Sequence, residues 1–259
     1  MALFFSRRPR IAVVQLHGTI ATGDGNLNID TAGPLIEDAF DAANGRPVIL
    51  DIESPGGSPV QSDLIARLIR RLADREDVRV HAVIREVGAS GGYWLACAAD
   101  EIHANPMSIV GSIGVIGGGF GFPDLLARLG VERRIYTAGG NKSRLDPFSP
   151  QQEDDLVFVQ GLLDALHAQF KDWVRERRGK RLTGAEDQVF DGSYMLGVRA
   201  RELGLIDGFD DVKGLARQLV GDRVKIRRFA PKRGLASRLP RLGMEAVLNV
   251  LDRQRFRLG

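Results

Sequence analysis

The sequence is poor in the residue types that build disulfides and metal centres. Its 259 residues include one cysteine, Cys97, and four histidines. A single cysteine excludes an intramolecular disulfide and a cysteine-rich metal site, and in an apolar segment it is expected to be a small core residue. The histidines, at positions 17, 81, 103 and 167, do not have the spacing of metal ligands. We therefore expect a protein with no metal and no cofactor.

Long hydrophobic helices are also missing. Residues 102–123 carry no formal charge, but they contain six glycines and two prolines, which argues against a membrane span. The apolar start, Met1–Phe5, is too short for a secretory signal. A cytoplasmic protein is the expectation from these two features.

Apolar runs alternate with helical periodicity, which predicts an α/β fold. The predicted strands are Arg10–His17, Pro47–Ile52, Val78–Ile84, Glu101–Ala104, Val131–Thr137 and Val224–Phe229. The predicted helices are Ala32–Ala43, one after Pro59, one after Ser90, Pro123–Leu129, Pro150–Arg178, Tyr194–Leu203 and Val212–Leu219.

Ser90 lies between a predicted strand and a short apolar helix, in the segment Ala89-Ser90-Gly91-Gly92. A serine here is either a helix N-cap or an exposed nucleophile. A nucleophile needs amides that hold an oxyanion, and the turn Ser54–Gly57 (Ser-Pro-Gly-Gly) after another strand can supply them, as can the Gly91 amide. The same Pro-Gly-Gly sequence is also common in ordinary turns.

A serine nucleophile also needs a base, and the scarcity of lysine points to a candidate. Only six of the 36 basic residues are lysines, and Lys142 is the only one in the first 170 residues. Arginine cannot act as a base, whereas a buried lysine can. An exposed loop lysine remains the alternative for Lys142, and His103 or His167 remains an alternative base.

Basic charge is concentrated at the end of the chain. Residues 222–259 hold eleven Lys/Arg and three Asp/Glu, so the net charge of +3 hides a strongly basic tail. Met244, Val247, Leu248 and Leu251 share one helical face there. Such a helix either docks on the protein itself or a neighbouring subunit, or binds anionic lipid at the inner face of a membrane. No nucleic-acid-binding motif is evident, and we expect no nucleic-acid partner.

Four motifs, in this order, resemble the signal peptide peptidase A (SppA/SohB-like) family of serine-lysine peptidases. They are Asp51–Gly57, Ala89–Tyr93, Gly111–Val115, and Lys142-Ser143 followed by Pro147–Pro150. The resemblance covers about residues 10–225 and implies a Clp-protease/crotonase-like fold of repeated β-β-α units. Residues 1–229 would then form the peptidase domain, and residues 230–259 the basic tail.

The resemblance also implies roles for five residues. Ser90 would be the nucleophile and Lys142 the general base, the amides of Gly57 and Gly91 would form the oxyanion hole, and Ser112 would orient the lysine. In family members with one copy of each motif, serine and lysine meet across a subunit boundary. A closed homo-oligomer, such as an octamer, is therefore expected. Asn141 stands where the family often has an aromatic residue.

The implied activity is hydrolysis of short apolar or unfolded peptides, including remnants of signal peptides, through an acyl-enzyme. Two alternatives remain open from the sequence. One is a crotonase-like acyl-CoA enzyme, which would share the oxyanion hole but need no serine nucleophile. The other is a non-catalytic scaffold for assembly or membrane association.

Overall fold

The computed structural model describes residues 9–231. The strands are β1 (Arg10–His17), β2 (Val48–Ser54), β3 (Val80–Ala89), β4 (Glu101–Ala104), β5 (Ile109–Gly111), β6 (Tyr194–Leu196), β7 (Gly208–Phe209) and β8 (Lys225–Phe229). The helices are α1 (Ile29–Ala43), α2 (Pro59–Glu76), α3 (Gly91–Ala96), α4 (Pro123–Arg128), α5 (Glu153–Arg178), α6 (Glu186–Val189), α7 (Gly197–Glu202) and α8 (Val212–Val220), with a 3-10 turn at Gly179–Arg181. Residues 232–259, which hold nearly all of the predicted basic tail, lie outside the described residues.

The strands form one mostly parallel sheet in the order β6-β5-β3-β2-β1-β8. Strand β3 is the longest, and it has two successive neighbours on one side. Its first half pairs with β4, and its last residues, Val87–Ala89, pair with β5. The only antiparallel pair among the described strands is β5 with β6. Since β2, β3 and β5 run in parallel, their carboxyl ends lie side by side.

Both faces of the sheet are covered, as expected for parallel strands that are apolar throughout. The larger core packs α1, α2 and α3 against alternate residues such as Val14, Leu50 and Ala82. The residues between them, including Val13 and Ile49, form a smaller core with α8 on the opposite face. This layered α/β architecture agrees with the predicted fold class.

Three predicted elements differ from those observed. Residues 131–137 form no strand: all are exposed, and no sheet edge pairs with them. Residues 194–203, predicted as a helix, begin with strand β6 because their first three residues pair with β5. Strand β3 continues past Ile84: the pairing shifts register at the exposed residues Arg85 and Glu86 and resumes at Val87 with β5.

A long part of the chain lies outside the core. No residue from 114 to 169 is buried, and we call this part the exposed segment. It contains α4 and the first two thirds of α5, whereas the end of α5 packs on the core through Phe170 and Val174. Among residues 9–231, no helix combines the length and apolar character needed to cross a bilayer.

Candidate active site

Three parallel strands end next to one another, and each is followed by a motif singled out in the sequence. Strands β2 and β3 are still paired at Ser54 and Gly88, and β3 and β5 at Ala89 and Gly111. Functional sites in parallel α/β sheets characteristically lie at these carboxyl ends. The fold therefore brings the Pro-Gly-Gly turn, the nucleophile motif and the third motif to one edge of the sheet.

Ser90 has a backbone conformation that is unusual for a residue with a side chain. Its φ is 52° and its ψ −124°, a region that costs about 1–3 kcal/mol for such residues. Its N–H donates to the Gly111 carbonyl at 2.8 Å, and its carbonyl accepts from the Trp94 N–H at 3.0 Å. The Ser90 side chain makes no capping hydrogen bond. A simple N-cap therefore does not describe Ser90, whereas a strained turn that exposes the hydroxyl is typical of nucleophilic serines.

The Pro-Gly-Gly turn packs directly on Ser90. A Cβ at Gly56 would lie 2.7 Å from the Ser90 Cβ and 2.6 Å from the Gly91 nitrogen. Gly57 has a φ of 141°, and a Cβ there would overlap the carbonyl oxygen of Ile20. Both glycines are therefore required by close approach of the backbone, and the turn is more than a connection between β2 and α2.

Two backbone N–H groups, one in this turn and one next to Ser90, have no hydrogen-bond acceptor among the described residues. Within residues 9–231, neither the Gly57 nor the Gly91 amide donates a hydrogen bond. Ile20 forms hydrogen bonds to the residues on either side of Gly57, donating to the Gly56 carbonyl at 2.9 Å, and the Gly57 N–H remains unused. Free amides beside a serine hydroxyl are what an oxyanion hole requires.

Ser112 lies one residue beyond the carbonyl that holds Ser90. Its φ is 52°, and its N–H donates to the Ser193 carbonyl at 2.8 Å. Its hydroxyl forms no hydrogen bond to another described residue. The contribution of Gly111, whose carbonyl fixes the Ser90 backbone, was missed by the sequence analysis, although it stands at the start of the third motif.

Lys142 forms no hydrogen bond to Ser90 among the described residues. It lies in an exposed turn of the exposed segment, where its N–H donates to the Gly139 carbonyl at 3.2 Å. No hydrogen bond joins its side chain to another residue of the range 9–231. A groove of about 1300 Å³ runs beside the turn, and the residues that line it all fall between positions 117 and 159.

The other candidate bases and the thiol have different roles in the fold. The Nε2 of His103 lies 3.6 Å from Glu101 at the other end of the sheet, and the Nε2 of His167 lies 2.9 Å from the Ile113 carbonyl. Neither forms a hydrogen bond to Ser90. Cys97 is fully buried, and burial raises the pKa of its thiol to about 12, as expected for a core residue.

The fold is the Clp-protease/crotonase-like α/β fold, with the strained serine and the free amides at its strand ends. Residues 73–223 match the sequence profile of peptidase family S49. Because the match covers more than half of the chain, the chain belongs to peptidase family S49. The predicted resemblance to SppA/SohB-like peptidases is thereby confirmed.

Relatives of this chain carry two kinds of name. A protein named "Na(+)/H(+) antiporter NhaA" from Brucella abortus (strain 2308) is 47% identical over 242 residues, which are 91% of this chain and 33% of that protein. "Protease 4" of Haemophilus influenzae is 30% identical over 223 residues, which are 83% of this chain and 35% of that protein. "Probable protease SohB" of Buchnera aphidicola is 34% identical over 160 residues, which are 62% of this chain and 46% of that protein. The chain thus spans about a third of the first two.

Proposed function

We propose that this chain is a serine endopeptidase in which Ser90 is the nucleophile and Lys142 of a neighbouring subunit is the general base. The observation that carries this proposal is the strained, uncapped Ser90 beside the free amides of Gly57 and Gly91. Membership of a peptidase family supports the reaction class. By the same resemblance, its substrates are short apolar or unfolded peptides, with signal-peptide remnants among them.

The reaction proceeds in two halves. The neutral amine of Lys142 takes the proton of the Ser90 hydroxyl as its oxygen attacks the scissile carbonyl carbon, and the Gly57 and Gly91 amides hold the oxyanion. The lysine then gives the proton to the leaving amine, which releases the first product and leaves an acyl-enzyme. In the second half, Lys142 takes a proton from a water molecule that attacks the ester, and it returns this proton to the Ser90 oxygen as the second product leaves. Ser112 accepts a hydrogen bond from the lysine and orients it.

The placement of Lys142 supports a base supplied between subunits. The lysine lies in the exposed segment, and fourteen of the 21 large exposed hydrophobic side chains of residues 9–231 fall between positions 116 and 166. Ile116 and Tyr136 are 94% and 89% exposed. Apolar surface of this extent is typical of subunit interfaces. A ring in which each exposed segment covers its neighbour would bury these side chains and carry Lys142 toward the next Ser90.

Subunit exchange tests both the dyad and its assembly. Purified Ser90→Ala and Lys142→Ala proteins are each expected to be inactive and correctly folded. Mixed after dissociation and reassembly, they are expected to recover peptide cleavage, because some sites then combine an intact serine with an intact lysine. Full activity of either single variant would refute the assigned residues, and failure to recover activity despite verified exchange would refute a dyad between subunits.

A second candidate function is a non-catalytic domain associated with a membrane transporter. It is favoured by one observation, the 47% identity to a third of a protein named as a Na(+)/H(+) antiporter. A serine-directed fluorophosphonate distinguishes the two. The peptidase is expected to be labelled at Ser90 and the Ser90→Ala variant to remain unlabelled, whereas a non-catalytic domain would show no labelling of either protein.

A further inference from the structure

Two histidines and a glutamate meet where β3 and β4 pair. In the register of these strands His81 lies opposite Glu101, and Val83 lies opposite His103. Residues two apart on a strand point to the same side, so the three polar side chains share one face of the sheet. It is the face that α8 covers, because Ile49, the neighbour of His81 on β2, belongs to the smaller core.

The donor atoms of this cluster are close together without being hydrogen bonded. The Nδ1 of His81 and the Nε2 of His103 lie 3.5 and 3.6 Å from the same oxygen, Oε2 of Glu101. Hydrogen bonds between nitrogen and oxygen are about 2.7–3.2 Å long. Both nitrogens are buried and have no hydrogen-bond partner among residues 9–231. Leaving buried polar atoms without hydrogen bonds is unfavourable. A ligand bound between these three side chains would remove that cost.

The spacing fits a tetrahedral metal ion. Zinc binds imidazole nitrogen and carboxylate oxygen at about 2.0–2.2 Å, which places neighbouring ligand atoms roughly 3.3–3.6 Å apart in a tetrahedral site. The two nitrogen–oxygen distances have this length, and all three atoms lie within 4.8 Å of one another. The remaining nitrogen–nitrogen distance is at most 4.8 Å and has to shorten when the ion binds.

Neighbouring groups hold the three side chains in place. The other carboxylate oxygen of Glu101 accepts a hydrogen bond from Arg79 at 3.0 Å, which leaves Oε2 directed at the imidazoles. The backbone of Gly208 lies behind the His103 ring, where a Cβ would be 3.3 Å from Nδ1. His81 is only 3% exposed. Outer contacts of this kind orient metal ligands in established sites.

We propose that His81, Glu101 and His103 bind one Zn²⁺ or a similar transition-metal ion, with water in the fourth position. Ile49 and Ser54 of β2 pair with His81 and Gly88, and these two β2 residues are five positions apart, which places the cluster roughly 17 Å from the end of β3 that carries Ser90. The ion therefore takes no part in peptide cleavage. It ties β4 to β3 and stabilises the folded chain, because the unfolded chain does not hold the three ligands together.

Metal binding is measured on the full chain after chelation, by titration with Zn²⁺ and by the visible spectrum of the Co²⁺-loaded protein. One ion per chain, a tetrahedral Co²⁺ spectrum and a rise in Tm with Zn²⁺ are expected. His103→Asn and Glu101→Gln are each expected to weaken Zn²⁺ binding about 100-fold and to abolish the rise in Tm. Glu101→Gln nearly preserves the shape of the side chain, so it separates loss of the ligand from loss of the fold.

His17→Asn is the matched control. The Nε2 of His17 is also buried and unpaired and lies 3.5 Å from Asp51, but it does not belong to a group of three ligands among residues 9–231. This variant is expected to bind Zn²⁺ like the original chain. The proposal is overturned if the chain does not bind one Zn²⁺ per chain. It is also overturned if the His103→Asn and Glu101→Gln variants bind Zn²⁺ as tightly as the original chain, or if His17→Asn abolishes binding.

Discussion

Ser90 holds a backbone conformation that glycine adopts more readily than serine. Replacing it with glycine relieves the strain at φ 52° and ψ −124°, and this gain exceeds the added backbone entropy of the unfolded chain. We expect Ser90→Gly to raise the free energy of unfolding by about 1 kcal/mol while abolishing peptide cleavage. Urea unfolding at fixed protein concentration and a peptidase assay measure the two effects.

Ser90→Ala is the control for this prediction. Alanine keeps the Cβ that causes the strain, so its free energy of unfolding should stay close to that of the original chain, although its activity is also lost. If Ser90→Gly were no more stable than Ser90→Ala, the conformation of Ser90 would not be strained. Backbone strain would then no longer support the assignment of Ser90 as the nucleophile.

Individual residues differ in how far their environment could be predicted from sequence. The motifs placed Ser90, Gly57 and Gly91 in one region, because they follow strands that could be recognised as apolar runs. Ser112 follows β5, which was not predicted as a strand, and only the family resemblance assigned it to the site. The metal-ligand cluster could not be predicted in this way. His81 and Glu101 are brought together by the register of β3 and β4, and linear spacing contains no information about that register.

At the scale of elements, an ion pair between Arg178 and Asp207 helps to hold the end of α5 on the sheet. Arg178 donates two hydrogen bonds to Asp207, at 2.8 and 2.9 Å, and a third to the Gly204 carbonyl. Asp207 also accepts from the Ile102 N–H of β4 at 2.7 Å. Burial alone would raise the pKa of Asp207, but the hydrogen bonds and charge of Arg178 outweigh it, and the pKa is lowered.

Removal of this carboxylate is expected to loosen α5. Asp207→Asn leaves Arg178 buried without a counter-charge, so the free energy of unfolding at pH 7 should fall by about 3 kcal/mol. Since the folded-state pKa of Asp207 is lowered, its contribution is complete above the unfolded-state value of about 3.9. It is lost as the pH falls through the lower folded-state pKa, so the variant should show a shallower loss of stability in acid than the original chain.

Asp172→Asn provides the comparison on the same helix. Asp172 pairs with Arg175, but its side chain is 68% exposed, and surface pairs contribute little. Denaturant unfolding of both variants between pH 3 and pH 7 tests the difference. An equal effect of the two substitutions would show that Arg178 and Asp207 do not anchor α5.

The bounds of helices and strands could be predicted from sequence best for the elements that pack on the core. Strand β1 and strand β4 have the predicted bounds, because apolar side chains that are buried also define the pattern in the sequence. Residues 131–137 have a strand-like composition yet remain irregular, because a strand needs a neighbour with which to form hydrogen bonds. Propensity alone does not supply that neighbour.

At the scale of the whole molecule, the α/β fold follows from alternating patterns, whereas the exposed segment does not. The sequence predicts this helix but not what its apolar residues contact. In the structure only the end of α5 packs on the chain's own core, where Trp173 stacks on Trp94 at 5.9 Å. Farther toward its start, Leu162 and Leu166 share one side of the helix and are 51% and 42% exposed. The pattern of apolar residues in the sequence does not show whether they pack on the core of the same chain or on a neighbouring subunit.

Charge placed on this side of α5 should therefore prevent assembly without unfolding the chain. We expect Leu162→Asp to shift the protein from a closed oligomer to a monomer in light scattering, with unchanged far-ultraviolet circular dichroism. Cleavage should fall with it, because Lys142 would no longer reach the Ser90 of a neighbour. Gln160→Asp adds the same charge to an exposed polar position on the opposite side of the same helix and should leave both assembly and cleavage intact. A monomeric Leu162→Asp protein that still cleaved peptides would place the base for Ser90 within one chain.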